Sequence, residues 1–353
     1  MSKIKIALVG AGNIAEAHLS AYKKVPDAEI YAICDINEAR LKETADRFNI
    51  SRRYTDCETM FNELPELDAA DVCVWNCNHA SCTMTALRHG LNVLCEKPMA
   101  YNASEAEEMA ALAKKMNKLL MIGFVMRFTD ETRVAQDFIS AGSLGDIYYS
   151  KATYLRRHGC PGGWFSDRKR SGGGPVIDLG VHVIDHTRFL MGNPKPVSVY
   201  ASTFDILKNR PYLKNGVGWT PRDAKPDDIC DVEDLAVALI RYDNGAVTLL
   251  ETSYSLNGEG VTQKHLYGTK GGLSLAGTPK LFTEINGYLA DVTPLMVDLK
   301  NKSEEFVAEM AHFVDCVKNG TKCIAPAEDG VTIMKILDAI YESARTGHEV
   351  VLK

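Results

Sequence analysis

Apolar and polar positions alternate along the first third of the chain in a repeating rhythm of strand and helix. Short, almost continuous apolar runs predict buried strands, and the amphipathic segments between them predict helices. The predicted strands cover residues 4–10, 28–35, 69–76, 92–96 and 119–124, and the predicted helices cover 13–24, 37–47, 79–89 and 103–117. Strands buried on both faces are typical of parallel sheets. We therefore predict an α/β fold whose residues 1–122 form a doubly wound Rossmann domain.

The rhythm changes after Phe124, where longer extended segments take over. Predicted strands cover 146–156, 196–204, 233–255 and 262–277, and predicted helices cover 130–141, 303–319 and 327–346. The sequence DNG at 243–245, flanked by apolar residues, predicts a hairpin. We expect residues 123–353 to form an α+β domain for substrate binding and oligomerisation, with a large, mostly antiparallel open sheet and the C-terminal helices. Residues 205–231 are predicted to form a long loop of the kind that often covers a site.

Composition excludes several classes of protein. A chain of 353 residues favours two domains, and no apolar run is long enough to cross a bilayer, so no membrane partner is expected. A formal net charge of -6 argues against a nucleic-acid partner, because such proteins concentrate Lys and Arg. The 10 cysteines are scattered through both halves, which favours reduced thiols and a cytoplasmic location over a disulfide framework.

A glycine-rich turn directly follows the first predicted strand and opens a helix. In the motif GxGxxA of residues 10–15, the first glycine permits the turn, the second lets a pyrophosphate approach the backbone, and the alanine allows close helix packing. Asp35 ends the next strand, where its carboxylate can bind ribose hydroxyls and repel a 2'-phosphate. NAD is therefore favoured over NADP, although Arg40 could bind a 2'-phosphate and a glycine turn can lack a ligand. The predicted contacts are Gly10, Gly12, Asn13, Ile14 and Asp35.

Two further motifs carry candidate chemistry. Glu96-Lys97-Pro98 places a lysine at the carboxyl end of a predicted parallel strand, where ligands of doubly wound sheets bind. In VIDLGVHVID (176–185), Asp178 and His182 lie four residues apart, so a helix would place them near one face together with His186. That face could be a metal site, a catalytic pair or a polar stripe on a packed helix.

A metal site would recruit His158 or Cys160 besides Asp178, His182 and His186. It lacks the acidic partner of a zinc hydrolase, and Arg188 would crowd the same face. We therefore expect no metal there and interpret His186 as structural.

Several longer segments together resemble the Gfo/Idh/MocA oxidoreductases, the relatives of glucose-fructose oxidoreductase and inositol dehydrogenase. The resemblance runs over nearly the whole chain, and EKP together with D-x-x-x-H is more specific than the glycine motif. The segments are GAGNIAEAH, CD at 34–35, ALRHGLNVLCEKPMA, GFVMRF, GGGPVIDLGVHVIDHTRFLMG, VEDLAVALIRYDNGAV and PAEDGVTIMKILDAIYESARTG.

The resemblance implies that Lys97, Asp178 and His182 meet at the nicotinamide, where a secondary hydroxyl of a sugar, cyclitol or glycoside is oxidised. A neutral imidazole suits removal of the hydroxyl proton, so His182 is the expected general base. Lys97 would hydrogen-bond the developing alkoxide or relay the proton, and Asp178 would orient the histidine or a neighbouring substrate hydroxyl. Two alternatives stay open: a glycosidase that recycles NAD, and a catalytically silent binding or sensor protein.

The resemblance also assigns contacts outside this triad. It implies cofactor contacts for Asn76, His79, Glu96 and Lys97 and a substrate contact for Arg127, although Arg127 could form a surface salt bridge and His79 a helix cap. Tyr154 and Trp164 could stack on a sugar or pack in the core. A homodimer or homotetramer through the second sheet is implied as well.

Overall fold

A computed structural model describes residues 3–208, 210, 212–214, 218–222, 224–225, 227–295 and 304–352. The chain divides into two compact units. The first unit comprises Met1–Phe128 and Ser303–Met334, and the second unit comprises Thr129–Lys302 and Lys335–Lys353. Each unit combines segments from separate parts of the chain, and the boundary between them falls inside the last helix. The expected division after residue 122 stays a prediction.

The first unit contains a six-stranded sheet in the order β3-β2-β1-β4-β5-β6, and all of its ladders are parallel. Its strands are β1 Ile4–Val9, β2 Ala28–Cys34, β3 Arg53–Tyr54, β4 Ala69–Val72, β5 Asn92–Glu96 and β6 Leu120–Gly123. The helices between them are α1 Asn13–Tyr22, α2 Glu38–Phe48, α3 Cys57–Glu63, α4 His79–Arg88 and α5 Ala103–Met116. This confirms the predicted doubly wound sheet. The short β3 and α3 were not expected.

The core of this unit explains why the apolar runs form strands. Leu8 on β1 and Ile33 on β2 are fully buried and pack with Leu19 of α1 and Leu41 of α2. Strand order reverses at β1 and β4, which lie side by side. In doubly wound sheets, ligands bind outside the carboxyl ends of the strands at such a reversal.

The second unit contains a nine-stranded sheet in the order β14-β13-β12-β11-β7-β10-β9-β8-β15. Its β7 and β10 pair in parallel and its other ladders are antiparallel, which confirms the predicted mostly antiparallel sheet. The strands are β7 Ile147–Leu155, β8 Pro196–Phe204, β9 Leu235–Tyr242, β10 Val247–Ser253, β11 Val261–Gly268, β12 Gly272–Ser274, β13 Lys280–Ile285, β14 Tyr288–Val292 and β15 Val350–Val351.

The remaining helices are α6 Asp130–Ser140, α7 Arg168–Ser171, α8 Val181–Leu190, α9 Glu305–Asn319 and α10 Ala327–Thr346. The predicted hairpin joins β9 and β10, and Gly245 in its turn has a φ of 83°. The described part of 205–231 forms turns and bends without a helix or strand, as expected. Among the described residues, no helix has both the length and the apolar character needed to span a bilayer.

Candidate active site

The turn between β1 and α1 has the conformation that its glycines permit. Gly10 has a φ of 102°, and a side chain there would overlap the carbonyl oxygen of Cys73. A Cβ at Gly12 would meet no atom within 4 Å, so this residue faces open space. The helix α1 begins at Gly12 without a side-chain cap. Open backbone at an uncapped helix N-terminus fits an anionic pyrophosphate.

Asp35 lies beside this turn at the carboxyl end of β2. Its Oδ2 accepts a hydrogen bond from the Ala11 N–H at 2.7 Å, and its Oδ1 accepts one from the Asn37 N–H at 2.7 Å. Each carboxylate oxygen keeps further acceptor capacity. The carboxylate is thus held in place and can still accept bonds from a ribose diol. Asn13 and Ile14 are half-buried in the first turn of α1.

Lys97 follows β5 and is half-buried. Its backbone N–H donates to Glu96 Oε2 at 3.0 Å, and the Lys97-Pro98 peptide is cis. His79 lies next to this turn, with Nδ1 2.6 Å from the Pro98 carbonyl oxygen and Nε2 3.1 Å from that of Val74. Burial lowers the pKa of His79, which favours the neutral ring and a single donated proton.

His79 is only 1% exposed, and both of its ring nitrogens face backbone carbonyl groups. The geometry therefore argues against the predicted contact of its imidazole with a cofactor. His79 instead connects the start of α4 to the turn that carries Lys97. Asn76, in the short 3-10 turn before α4, is also buried.

The Glu96 side chain is buried. Its Oε1 lies 3.1 Å from Nε2 of His18, and Nδ1 of His18 lies 2.9 Å from Oδ2 of Asp71. Burial opposes a charged His18, but the charges and hydrogen bonds of Asp71 and Cys73 outweigh it and raise the pKa of His18 well above its usual value. This carboxylate holds an imidazolium on one side and the Lys97 backbone on the other, and its cofactor contact stays a prediction.

Arg127 forms a buried ion pair. Its side chain is fully buried, and its Nη1 donates to Asp329 Oδ2 at 2.8 Å and to the Ile324 carbonyl oxygen. The guanidinium also lies over the ring of Phe124, 4.9 Å from its centroid. The predicted substrate contact of Arg127 stays a prediction. Arg127 fixes the start of α10 to the segment that follows β6.

Asp178 and His182 belong to the second unit. Residues 176–180 form a π-helical turn that runs directly into α8, so the expected helix contains one widened turn at Asp178. In the fully described segment 173–188, every residue except Asp178 and His182 is buried. The two candidate catalytic residues are thus half-buried, whereas the rest of their helical segment packs in the core. π-helical turns are frequent at functional sites.

Glu233 anchors the start of this helical segment. It is 3% exposed, and its Oε1 accepts hydrogen bonds from the Gly174 N–H at 3.0 Å and from the Tyr341 hydroxyl at 2.8 Å. Arg168 Nη2 lies 3.3 Å from its Oε2. A side chain at Gly174 would overlap the Glu233 carbonyl oxygen, which explains the glycine run before VIDLG.

A buried tyrosine holds Asp178. The Tyr254 hydroxyl, fully buried, donates to Asp178 Oδ2 at 3.1 Å. Burial and the Asp178 charge raise the pKa of Tyr254 well above its usual value, so it remains a donor. The Arg156 guanidinium interacts electrostatically with Asp178 and donates to the Tyr154 hydroxyl at 3.2 Å. Asp178 is therefore fixed by a neutral donor and a nearby cation.

The aromatic residues of this unit form a stack. Trp164 lies on Phe165 with 3.9 Å between ring centroids, and Trp219 meets the edge of Phe165 at 5.4 Å. Trp219 comes from the 205–231 loop and is 51% exposed. The loop thus contributes an accessible aromatic ring that the sequence did not single out.

The donors of the alternative metal site at Asp178 are not among the converging groups of the described residues. Among the described residues, two groups of three donors converge within 4.8 Å: His312 with Cys316 and Cys323, and His18 with Asp71 and Cys73. Neither contains Asp178 or His182. His186 is fully buried, and its Nε2 lies 2.7 Å from the Thr132 hydroxyl, so it serves the core as expected.

Sequence reasoning missed four residues that hold the candidate catalytic groups: His18, Arg156, Glu233 and Tyr254. His18 and Glu233 stand inside the segments that carry the resemblance, GAGNIAEAH and VEDLAVALIRY. No local spacing marks their partners, because His18 reaches Asp71 and Glu96 across 53 and 78 residues of chain.

Comparison with known proteins identifies the family of the chain. Residues 4–124 match the family model described as the Gfo/Idh/MocA oxidoreductase family, NAD-binding Rossmann fold, and residues 136–352 match its C-terminal alpha/beta domain. The chain is 32% identical to D-glucoside 3-dehydrogenase of Escherichia coli (strain K12), covering 99% of this chain and 98% of that protein.

Less similar proteins also match over most of the chain. Myo-inositol 2-dehydrogenase of Thermotoga maritima (strain ATCC 43589 / DSM 3109 / JCM 10099 / NBRC 100826 / MSB8) is 25% identical over 93% of this chain and 92% of its own length. The solved structure of a levoglucosan dehydrogenase in complex with NADH has a TM-score of 0.86 at 23% identity and covers 100% of both chains, which shows a shared fold. With both family models matched in order, the chain belongs to the Gfo/Idh/MocA family of oxidoreductases.

Proposed function

We propose that this oxidoreductase is an NAD-dependent dehydrogenase that oxidises a secondary hydroxyl of a sugar or glycoside, with cyclitols as the neighbouring substrate class. The observation that carries the proposal is the open pair Asp178 and His182 in an otherwise buried helical segment. Burial of all their neighbours leaves these two side chains as the groups of the segment that can reach a ligand. Lys97 lies in the other unit, and its meeting with them at one substrate is part of the proposal.

Each residue has a role that its chemistry supports. His182 accepts the proton of the reacting hydroxyl, because an imidazole titrates near neutral pH. Lys97 donates a hydrogen bond to the developing alkoxide, and its backbone is held by Glu96. Asp178 orients the histidine or a neighbouring hydroxyl and is itself held by Tyr254. NAD, when bound, supplies the hydride acceptor.

The preference for NAD rests on Asp35. Its carboxylate, held by two backbone N–H groups, lies where the ribose of the cofactor would bind, and its negative charge would repel a 2'-phosphate. The residues proposed to contact the cofactor are Gly10, Gly12, Asn13, Ile14, Asp35, Asn76 and Lys97. An Asp35→Ala variant should lose much of its discrimination between NAD and NADP, as measured by kcat/KM with each.

The substrate class is supported by the named relatives and by the second unit. The relative with 32% identity is named for oxidation of D-glucosides at position 3. Tyr154, Trp164 and the exposed Trp219 offer aromatic faces to the apolar side of a sugar ring, and Arg156 offers hydrogen-bond donors. We expect glycosides to be better substrates than free polyols.

A substrate panel tests the reaction. Purified protein is mixed with NAD or NADP and a set of glucosides, free sugars and cyclitols, and both NADH and released aglycone are followed. We expect NADH to accumulate without aglycone. Aglycone release without NADH would identify the NAD-recycling glycosidase instead, and cofactor binding without turnover of any compound would favour a silent binding protein.

Variants separate the two candidate bases. If His182 is the base, His182→Ala should abolish the acid limb of the pH profile of kcat/KM, whereas Lys97→Met should lower the rate and retain that limb. An unchanged acid limb in His182→Ala would assign the base elsewhere.

A reducing compartment is part of the proposal, because all ten cysteines are free thiols.

We also propose that copies of the chain associate through the open face of the second sheet. Tyr200, Leu239 and Leu249 form one cross-strand row, and Tyr149, Tyr267 and Phe282 belong to another. Tyr200 is 51% exposed and Leu239 is 45% exposed, and contiguous apolar surface of this kind commonly marks an interface. Leu239→Glu should yield monomers in light scattering after size exclusion, whereas Ile36→Glu, an exposed apolar site in the first unit, should not.

A further inference from the structure

Two thiols and one imidazole converge in the first unit at the end of α9. His312 and Cys316 lie four residues apart on this helix and therefore on one face. Cys323 comes from the loop that begins at the left-handed Gly320, where φ is 71°. A ring nitrogen of His312 and the two Sγ atoms all lie within 4.8 Å of one another. The hydride-transfer chemistry described above uses none of the three.

The distances match those of a metal site. Bonds of about 2.3 Å to sulfur and about 2.0 Å to nitrogen in a tetrahedral zinc site place neighbouring sulfur and nitrogen ligands about 3.5 Å apart. His312 Nε2 lies 3.4 Å from Cys316 Sγ. Cys323 Sγ belongs to the same group of converging donor atoms.

The imidazole is held with the correct atom facing the thiols. The Ile324 N–H donates to Nε2 of His312 at 3.1 Å, so Nε2 carries the lone pair and Nδ1 carries the proton. The ring also contacts Phe128, with 5.5 Å between centroids. A cation at Nε2 would replace the Ile324 N–H as the partner of this lone pair. His312 and Cys323 are half-buried, so a hydrated ion can reach them.

We propose that His312, Cys316 and Cys323 bind a divalent cation of the zinc class, with a fourth position open to water. Two thiolates and an imidazole are the donors that zinc prefers in proteins. The bound ion would fasten the end of α9 to the loop of residues 320–326. That loop supplies the Ile324 carbonyl oxygen to Arg127, so the ion would reinforce the same corner as the buried ion pair with Asp329.

Neighbouring groups define the limits of this site. Asp315, on the same helix, has its Oδ1 bonded to the Asn319 side chain at 2.6 Å, and it is not one of the converging donors. The other converging group, His18 with Asp71 and Cys73, is almost fully buried and its imidazole already lies between two carboxylates. It offers no approach for a hydrated ion.

The chain contains a matched control. Cys57 and Cys82 also hydrogen-bond each other in the first unit, but among the described residues no third donor converges with them. A variant of that pair removes a thiol of similar exposure without touching the proposed site. It separates a defined three-donor site from general binding of metal to thiols.

Cobalt titration of the protein tests the proposal. The protein is stripped with a chelator, kept reduced, and titrated with Co²⁺. We expect one equivalent to bind with thiolate-to-cobalt charge transfer and the intense visible bands of a tetrahedral site, and Zn²⁺ to displace it. Cys323→Ser and His312→Gln should each weaken binding roughly tenfold or more, and Cys57→Ser should leave it unchanged. Circular dichroism verifies that each variant is folded.

Three outcomes would overturn the proposal. The first is the absence of charge-transfer bands while all ten thiols react with a thiol reagent. The second is an equal loss of cobalt binding in Cys57→Ser. The third is a disulfide between Cys316 and Cys323, found by peptide mass, whose reduction restores no metal binding. As a second measurement, Zn²⁺ should raise the Tm of the wild type and leave that of His312→Gln unchanged. None of these measurements depends on dehydrogenase activity.

Discussion

The Tyr254 hydroxyl donates a hydrogen bond to Asp178 across 3.1 Å from a fully buried position beside the candidate catalytic helix. The acid of the proposed site is thus oriented by a residue that is 76 positions away in the chain and cannot itself reach a ligand. Tyr254 is a positioning residue, and its contribution can be measured apart from that of Asp178.

We predict that Tyr254→Phe lowers kcat/KM roughly tenfold, equivalent to about 1.4 kcal/mol of transition-state stabilisation. The reason is that Asp178 loses its fixed orientation, while the shape of the core is retained. Steady-state kinetics with the best glycoside of the panel measure the effect. Tyr242→Phe is the matched control, since it removes a buried hydroxyl that accepts from Thr248 at 3.1 Å. Equal losses of kcat/KM in the two variants would contradict the positioning role.

Arg127 should matter for stability and much less for substrate binding. Arg127→Met leaves Asp329 as a buried carboxylate without its cation, so we expect the free energy of unfolding to fall by about 3–5 kcal/mol. Adding Asp329→Leu should recover most of this loss, because the unpaired charge is removed. Denaturant unfolding measures both variants.

Arg133→Met provides the comparison for Arg127. Arg133 pairs with Asp130 on the surface, where the side chains are 65% and 49% exposed. Because exposed ion pairs contribute about 1 kcal/mol or less to the free energy of unfolding, Arg133→Met should lower it by no more than that. A large rise of KM in Arg127→Met without a loss of stability would restore the substrate role implied by the resemblance.

The sequence predicted the sheets better than the contacts that hold the site. The predicted strand 92–96 coincides with β5, because a continuous apolar run has a single interpretation in an alternating α/β pattern. The segment 262–277 was predicted as one extended stretch but divides at Thr269–Gly271 into β11 and β12. The β13–β14 hairpin, with half of its residues exposed, has no buried stripe for a pattern to detect.

Motif positions were likewise easier to predict than side-chain directions. Lys97 and Glu96 are adjacent in the same motif, yet Glu96 is buried against His18 and Lys97 remains half-exposed. Successive residues at a strand end point in opposite directions, but the pattern alone does not decide which of the two meets the interior. The buried partner His18 determines that Glu96 is the residue that meets the interior, and His18 lies on a different element of the fold.

Glu309 should make the protein less stable as the pH rises. Its carboxyl is fully buried without a hydrogen-bond partner among the described residues, and burial, followed by the charge of Glu96, raises its pKa well above 4.5. Folded protein therefore retains a proton that unfolded protein releases above pH 4.5. The free energy of unfolding should fall by up to about 1.4 kcal/mol for each pH unit between 4.5 and the raised pKa.

Glu309→Gln removes this ionisation, so the decline of Tm with pH should become shallower than in the wild type. Melting curves at several pH values above 4.5 measure the slope where Glu309 is ionised in the unfolded chain and still protonated in the folded protein. Glu328→Gln, an exposed position in the first turn of α10, should keep the wild-type slope. Parallel slopes for wild type and Glu309→Gln would show that Glu309 ionises in the folded protein as it does in the unfolded chain.

Substitutions at the two glycines of the first turn should have different effects, one on stability and the other on cofactor binding. A side chain at Gly10 overlaps the Cys73 carbonyl oxygen and requires a φ of 102°, so Gly10→Ala should destabilise the fold by several kcal/mol, on the order of 3. Gly12 has a φ of -78° and open space around its Cβ position, so alanine there adds no strain. Gly12→Ala should keep the wild-type Tm and raise the Kd for NADH roughly tenfold, because its methyl group occupies the place of the pyrophosphate. Fluorescence titration with NADH and thermal melting of both variants measure the two effects. Unaltered NADH affinity in folded Gly12→Ala would show that the cofactor phosphates do not bind against this residue.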